Sequence, residues 1–239
     1  MQTVILHGGG TTAAETTKRL IELSGGPQAR IVVLAHTGED VAGKAKRSAD
    51  WLRENGAKDV LAPVSVSEAL AALEKATGVW IPGGDQNVLM ATFAGTELAM
   101  RLRDKKAVGG TSAGAALMSS LMPTGEGDSK TMRKGSIEVK PGLGALPYAI
   151  VDTHFFVRQR TQRLINMVLS SPYSVLGIGV DENAWCEVSP EGVLFVRAGQ
   201  VALIEAQRIP PNAPLLAGNV KIKILGLGQL QNLSQPLVL

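Results

Sequence analysis

Residues 107–120 read AVGGTSAGAALMSS. The first half is a short apolar run ending in small residues and the second is small and helix-compatible, so the stretch reads as a buried strand turning abruptly into a helix. One serine, Ser112, stands at that turn between Gly110 and Gly114. GTSAG matches the pattern G-x-S-x-G, in which a serine on a tight strand-to-helix turn projects its hydroxyl and the small neighbours Thr111, Ala113 and Gly114 permit the close turn. The plainer reading is a serine that caps a helix. The pentapeptide alone does not separate the two.

The same alternation extends outward from this stretch. TVILHGG (3–9), RIVVLAHTG (30–38), DVLAPVS (59–65) and GVWIPGG (78–84) are apolar runs ending in Gly, Pro or small polar residues. Between them, Thr12–Leu23, Asp40–Glu54, Ser67–Ala76 and Gln86–Arg103 carry apolar residues at three- and four-residue spacing, the last breaking at Gly95. Strands alternating with amphipathic helices predict an α/β fold with a mostly parallel central sheet and flanking helices. Such sheets bind ligands beyond the carboxyl ends of their strands. Three glycine-rich segments, HGGGTT (7–12), PGGDQ (82–86) and GGTSAGA (109–115), fall at those ends.

Further along, MPTGEGDSKTMRKG (122–135) lacks periodicity and is expected to be a long surface loop near the site. AIVDTHFF (149–156) and VLGIGVDE (175–182) read as strands and Arg158–Leu169 as a helix. Residues 184–206 show strand-like runs broken by SPEG and RAGQ, both suited to hairpin turns. IPPNAPLLAGNVKIKILGLGQ (209–229) reads as a proline-rich crossing and one late strand, so strands or a hairpin are added at the C-terminal end. Residues 230–239 carry no readable pattern, and no linker or repeat divides residues 1–239, which are expected to form one domain.

Composition narrows the function classes. With 239 residues, 45% of them hydrophobic, the chain can bury a sizeable core. No run of 18 apolar residues exists to span a membrane. The opening residues lack a basic n-region and enter a strand directly, which points to a cytoplasmic protein. The single Cys186 excludes an internal disulfide and a multi-cysteine zinc site, in keeping with a reducing compartment. Net charge is +3 without a long basic stripe, and aromatics are sparse, so nucleic acid is not an expected partner.

A serine nucleophile needs a base, and the chain has three histidines, His7, His36 and His154. His154 ends a strand just before an arginine-rich segment, which suits a base facing the same pocket. The base needs an orienting carboxylate, and Asp181 and Glu182 end an apolar strand where period two sends adjacent side chains to opposite sides. Only one of them can face His154; the alternative for such a carboxylate is a salt bridge to an arginine. PGGDQ offers unshielded backbone N–H groups, which with the Ala113 N–H would suit an oxyanion hole. In HFFVRQRTQRL (154–164), Arg158, Arg160 and Arg163 crowd the start of a helix whose end is already electropositive. That arrangement favours an anionic ligand, and guanidinium groups bind carboxylates as planar bidentate donors.

GGDQ (83–86), GGTSAGA (109–115), DTHFFVRQRTQRL (152–164) and GIGVDENA (177–184) together resemble the four motif blocks of the cyanophycinase and dipeptidase E family of serine peptidases. Order and approximate separation also match. The resemblance implies a class I glutamine amidotransferase-like sheet, with Ser112 as nucleophile, His154 as general base and Glu182 as its orienting carboxylate. Gly84 and Ala113 would supply oxyanion N–H groups, and Gln86, Asp152, Arg158, Arg160 and Arg163 would hold the substrate. The order Ser, His, Glu departs from that of α/β-hydrolases. The resemblance further implies cleavage of a peptide or isopeptide bond at an aspartyl residue through an acyl-enzyme, without metal or cofactor, in a homo-oligomer such as a dimer. The expected partner is a small peptide with a free carboxylate.

Two residues mark departures within that family. Thr153 stands where cyanophycinases usually have glutamine, which leaves the substrate open between aspartyl dipeptides, β-aspartyl dipeptides and cyanophycin. Asp128 lies between serine and histidine, where dipeptidase E takes its carboxylate; the GIGVDENA block favours Glu182. Two other classes stay open: a non-catalytic binder retaining the pocket, and a glutaminase-like amidotransferase subunit. The latter would need a cysteine at the elbow, and Cys186 lies outside it.

Overall fold

The β-branched and leucine-rich runs at the start of the chain become parallel strands in the computed structural model, which describes residues 2–207, 209–210 and 212–237. They are β1 (Thr3–His7), β2 (Arg30–Val33), β3 (Asp59–Leu61), β4 (Gly78–Ile81) and β5 (Ala107–Thr111). Between them lie α1 (Ala14–Leu23), α2 (Val41–Glu54), α3 (Val66–Lys75), α4 (Gln86–Thr92) and α5 (Leu98–Arg103). Local chemistry sets the boundaries. The Asp40 carboxylate accepts the Gly43 N–H at the start of α2, and Ser65 and Glu68 form a reciprocal capping box on α3. Gly95, at φ +71°, separates α4 from α5, so the expected break is found there.

Downstream come α6 (Ala113–Ala116), β6 (Leu121–Gly127), β7 (Ile137–Pro141), β8 (Ala149–Thr153), α7 (Thr161–Ser170) and β9 (Leu176–Val180). The chain continues with β10 (Trp185–Val188), β11 (Val193–Ala198), β12 (Val201–Ala206), β13 (Val220–Leu225) and β14 (Leu230–Asn232). The larger sheet has the order β14-β11-β10-β1-β5-β4-β2-β3, parallel from β1 to β3 and antiparallel from β1 outward through β10, β11 and β14. A second sheet runs β13-β12-β9-β8, with β8 and β9 parallel, and β6 pairs with β7 alone.

Successive residues of β1 enter different cores, as a strand buried on both faces requires. Ile5 packs with Leu20 and Leu52 beneath α1 and α2. Val4 and Leu6 join Leu73, Leu102 and Leu117 on the opposite face, together with Val151 and Ile178 from the second sheet. That packing brings the carboxyl ends of β8 and β9 to those of β1, β4 and β5. The outer face of the second sheet is covered by α7 through Leu164, Met167 and Val168.

Four expectations change. The segment 122–135 is not wholly loop: its first residues form β6, whose Pro123, Gly125 and Gly127 interrupt the alternation that marks a strand, and whose register with β7 shifts accordingly. The helix expected from Arg158 begins at Thr161, because the chain first makes a turn in which Gln159 takes φ +53°. SPEG does close the β10–β11 hairpin, but RAGQ does not join a pair: β11 stays in the larger sheet and β12 enters the second. The late strand is β13, and residues 230–232, unread in the sequence, add β14 at the sheet edge. Pro211, Val238 and Leu239 lie outside the described residues, as do Met1 and Arg208.

Candidate active site

At Ser112 the backbone adopts φ 53° and ψ −114°, a conformation costing about 1–3 kcal/mol that survives only where its surroundings enforce it. The Ser112 N–H donates to the His7 carbonyl at 2.9 Å, and its own carbonyl accepts from Ala115 and Ala116 at 3.0 Å. α6 also approaches β4 closely: a Cβ on Gly114 would lie 2.0 Å from the Ile81 carbonyl oxygen. The serine side chain makes no helix-cap hydrogen bond. Its Oγ instead lies 2.8 Å from His154 Nε2.

His154 is held as firmly. It too has positive φ, 50°, and its N–H donates to the Gly8 carbonyl at 2.8 Å. Gly9 lies flat against the imidazole, where a Cβ would come within 2.2 Å of Cε1. On the far side, His154 Nδ1 meets Glu182 Oε1 at 2.6 Å. With Nδ1–H donating to that carboxylate, Nε2 is free to accept the Ser112 hydroxyl proton.

The adjacent acids divide the work that β9 delivers. Glu182 faces the imidazole, while Asp181 Oδ1 accepts the N–H groups of Phe156 and Val157 at 2.9 and 3.1 Å, fixing the turn that follows His154. Among the described residues, neither acid pairs with an arginine. Asp128 is exposed, accepts the Lys130 N–H at 2.8 Å and does not reach His154.

Ser112 opens onto a cavity of about 260 Å³ lined also by Gly84, Gln86, Ala113, Asp152, His154, Arg158, Arg160 and Arg163. Every site residue expected from the sequence lines it except Glu182, which sits behind His154. Among the described residues, neither the Gly84 nor the Ala113 N–H has an acceptor. Gln86 Nε2 donates to the Pro123 carbonyl at 2.6 Å and Asn87 Nδ2 to the Thr124 carbonyl at 2.9 Å, tying α4 to β6 at the cavity rim. A larger cavity of about 720 Å³ lies at the opposite, amino ends of β1, β8 and β9 and contains none of these groups.

The arginines differ from one another. Asp152, 1% exposed, holds Arg163 through both carboxylate oxygens and meets Arg160 Nη1 at 3.4 Å. Arg160 also donates to the Thr153 carbonyl at 2.8 Å. Burial pulls the Arg160 pKa below the usual arginine range, Asp152 opposes that fall, and Arg163 and Arg158 add to it. Arg158 is exposed and makes no ion pair among the described residues. Three arginines line the cavity against two acids, the buried Asp152 and the exposed Asp85, so the lining keeps net positive charge.

Sequence reasoning left His7 undecided. It is fully buried, its Nδ1 accepts the Gly9 N–H at 3.2 Å and lies 2.9 Å from Thr111 Oγ1. Burial pulls its pKa down to about 4, a Thr11 backbone group resists, and nearby His154 deepens the fall. His7 thus stays neutral and shapes the glycine loop against His154. The HGGGTT run was the available signal, but the packing of Gly9 on a ring 145 positions away has none in sequence. His36 lies elsewhere, edge-on to Phe93.

Residues 4–196 match the model described as Peptidase family S51. The chain belongs to that family. Membership makes it a peptidase hydrolase by class. The cyanophycinase of Synechococcus elongatus is 31% identical over 231 residues, covering 88% of this chain and 71% of that protein. The cyanophycinase of Geminocystis herdmanii is 30% identical over 241 residues, covering 91% and 88%. In fold, the chain is similar to a peptidase from an acI-B1 Actinobacterium, at a TM-score of 0.69, 20% identity and coverage of 97% and 96%. A putative peptidase E protein from Listeria monocytogenes EGD-e has a TM-score of 0.55 at 13% identity, covering 82% of this chain and 98% of that one.

Proposed function

We propose that this S51 chain is a serine peptidase that cleaves a peptide or isopeptide bond at an aspartyl residue of a short, anionic substrate. The observation that carries the reading is the continuous line from Ser112 Oγ through His154 to Glu182, at 2.8 and 2.6 Å, built on a strained serine. His154 Nε2 takes the hydroxyl proton as Oγ attacks the carbonyl carbon, and the oxygen that becomes negative is met by the Gly84 and Ala113 N–H groups. Protonated His154, stabilised by Glu182, returns the proton to the departing amine as the C–N bond breaks. Water, activated by the same imidazole, then splits the acyl-enzyme ester and restores Ser112.

Size and charge support the substrate class. At about 260 Å³ the cavity falls below the roughly 300–1,000 Å³ of sites for drug-sized molecules. Asp152 engages Arg163 and Arg160, so among the described residues Arg158 is the cavity guanidinium whose donors are open to a substrate carboxylate. Aspartyl and β-aspartyl dipeptides fit this description. The named cyanophycinases direct attention to aspartate-arginine linkages as well. The test is a comparison of kcat/KM for Asp-X dipeptides, β-Asp-Arg and cyanophycin granules against X-Asp and neutral dipeptides, in the parent and in Arg158→Ala. The aspartyl substrates should lead, and loss of a charge-assisted hydrogen bond of about 1.5–3 kcal/mol should lower their kcat/KM about 10- to 100-fold. A preference for neutral peptides, unchanged by the substitution, overturns the reading of the cavity.

A further inference from the structure

The loop that carries Gly84 is held from another strand end. Thr37, just past β2 and 1% exposed, donates its hydroxyl to the Gly83 carbonyl at 2.8 Å, while its own carbonyl accepts the Asp85 N–H at 2.8 Å. Lys44, from the first turn of α2, donates through Nζ to the same carbonyl at 3.1 Å and to the same hydroxyl at 3.0 Å. Two of these bonds pin the residues on both sides of Gly84, and the two from Lys44 hold the threonine that makes them. Lys44 makes no ion pair among the described residues, and both of its hydrogen bonds go to Thr37, where its charge makes the accepting hydroxyl a stronger donor to the Gly83 carbonyl.

Peptide planarity converts this anchoring into direction. The Gly83–Gly84 peptide is trans, so its carbonyl and its N–H point opposite ways in one plane. Thr37 draws the Gly83 oxygen back towards β2, which aims the Gly84 N–H the other way. Gly83 abuts the nucleophile, since a Cβ on it would sit 3.4 Å from Ser112 Cβ, and Gly84 lines the same cavity as Ser112. The approach leaves no room for a side chain at 84, where a Cβ would meet the Thr37 carbonyl at 2.1 Å and Lys44 Nζ at 2.6 Å.

We propose that Thr37 and Lys44 are positioning residues that aim the Gly84 N–H at the oxygen of an acyl group bound to Ser112. The inference rests on Ser112 being the nucleophile, and its test keeps the two claims apart. A fluorophosphonate reacts with a serine hydroxyl by losing fluoride and leaving a phosphonyl oxygen in the oxyanion position. Its bimolecular rate constant with Ser112 is measured in the parent, Thr37→Val, Thr37→Ser and Lys44→Met, each well below its own Tm. Losing a whole oxyanion donor costs on the order of 10²–10³, so misdirecting one should slow labelling about 10- to 100-fold in Thr37→Val and Lys44→Met. Thr37→Ser, which keeps the hydroxyl, should stay within about 3-fold of the parent, and Kd for an aspartyl dipeptide, read in an inactive Ser112→Ala background, should stay within about 2-fold throughout. Parental labelling rates in both Thr37→Val and Lys44→Met overturn the proposal, as does equal slowing in Thr37→Ser. No labelling of Ser112 in the parent overturns the serine mechanism itself.

Discussion

Replacing His7 by asparagine should flatten the acid dependence of stability. In the unfolded chain a histidine protonates near its ordinary value of 6.5, whereas His7 in the fold holds out to about 4 because burial disfavours its charged form. Above pH 6.5 both states are neutral there and His7 adds nothing to the slope. Between 6.5 and 4 the unfolded chain binds a proton that the native chain refuses, so stability falls as pH falls; below 4 both states are charged and the effect ends. At about 1.4 kcal/mol per pH unit, the gap amounts to about 3 kcal/mol across that window, a large part of the stability of an ordinary domain. In His7→Asn the amide oxygen can still accept the Gly9 N–H that Nδ1 accepts at 3.2 Å, and nothing titrates. The assay is urea unfolding of both proteins at pH 7.5, 6.5, 5.5 and 4.5. The parent should lose roughly 2–3 kcal/mol more than the variant between the ends of that series, even though the variant starts lower because of the cavity it leaves. Parallel pH profiles would refute the argument, since they would mean that folded His7 accepts its proton as readily as an unfolded one.

Three further substitutions bear on the proposed triad. Glu182→Gln should depress kcat on the order of 10³–10⁴ with KM nearly unchanged, because it disturbs the imidazole tautomer and the developing imidazolium, whereas Asp128→Asn should leave both constants as they were; the opposite pattern in steady-state kinetics would transfer the role to Asp128. Gly9→Ala places a methyl 2.2 Å from His154 Cε1 at a φ of +103°, and tilting the ring away from Ser112 should cost about 100-fold in kcat, read alongside Tm to separate displacement of the imidazole from unfolding.

The parallel half of the fold was legible because its inner strands are buried on both faces and short apolar runs are punctuated by glycine, proline or small polar residues; β3, at the sheet edge, is only part-buried. β1, β4 and β5 carry the pattern without interruption, and the candidate residues Ser112, His154 and Glu182, which the fold brings into one hydrogen-bonded line, follow strand ends. What sequence could not show follows from non-local geometry. β6 was hidden by Pro123 and its glycines, and RAGQ has hairpin composition whether the next strand turns back or crosses to another sheet. The period-two rule separated Asp181 from Glu182 without saying which faced His154; the backbone N–H groups of Phe156 and Val157 claim Asp181. The arginines read as a carboxylate-binding cluster, yet Asp152, eight and eleven positions before Arg160 and Arg163, occupies two of them inside the protein. Thr37 and Lys44 looked like an ordinary strand end and helix start, since their contact with the Gly84 loop spans two βα units.

The central claim is that Ser112 is a nucleophile driven by His154. Incubating the protein with a fluorophosphonate and mapping the adduct by peptide mass spectrometry tests it most directly, with His154→Ala treated in parallel. The account predicts one adduct, on Ser112, formed with loss of peptidase activity in the same proportion and slowed on the order of 10³-fold or more in His154→Ala. An adduct elsewhere, or full peptidase activity retained in Ser112→Ala, would contradict it.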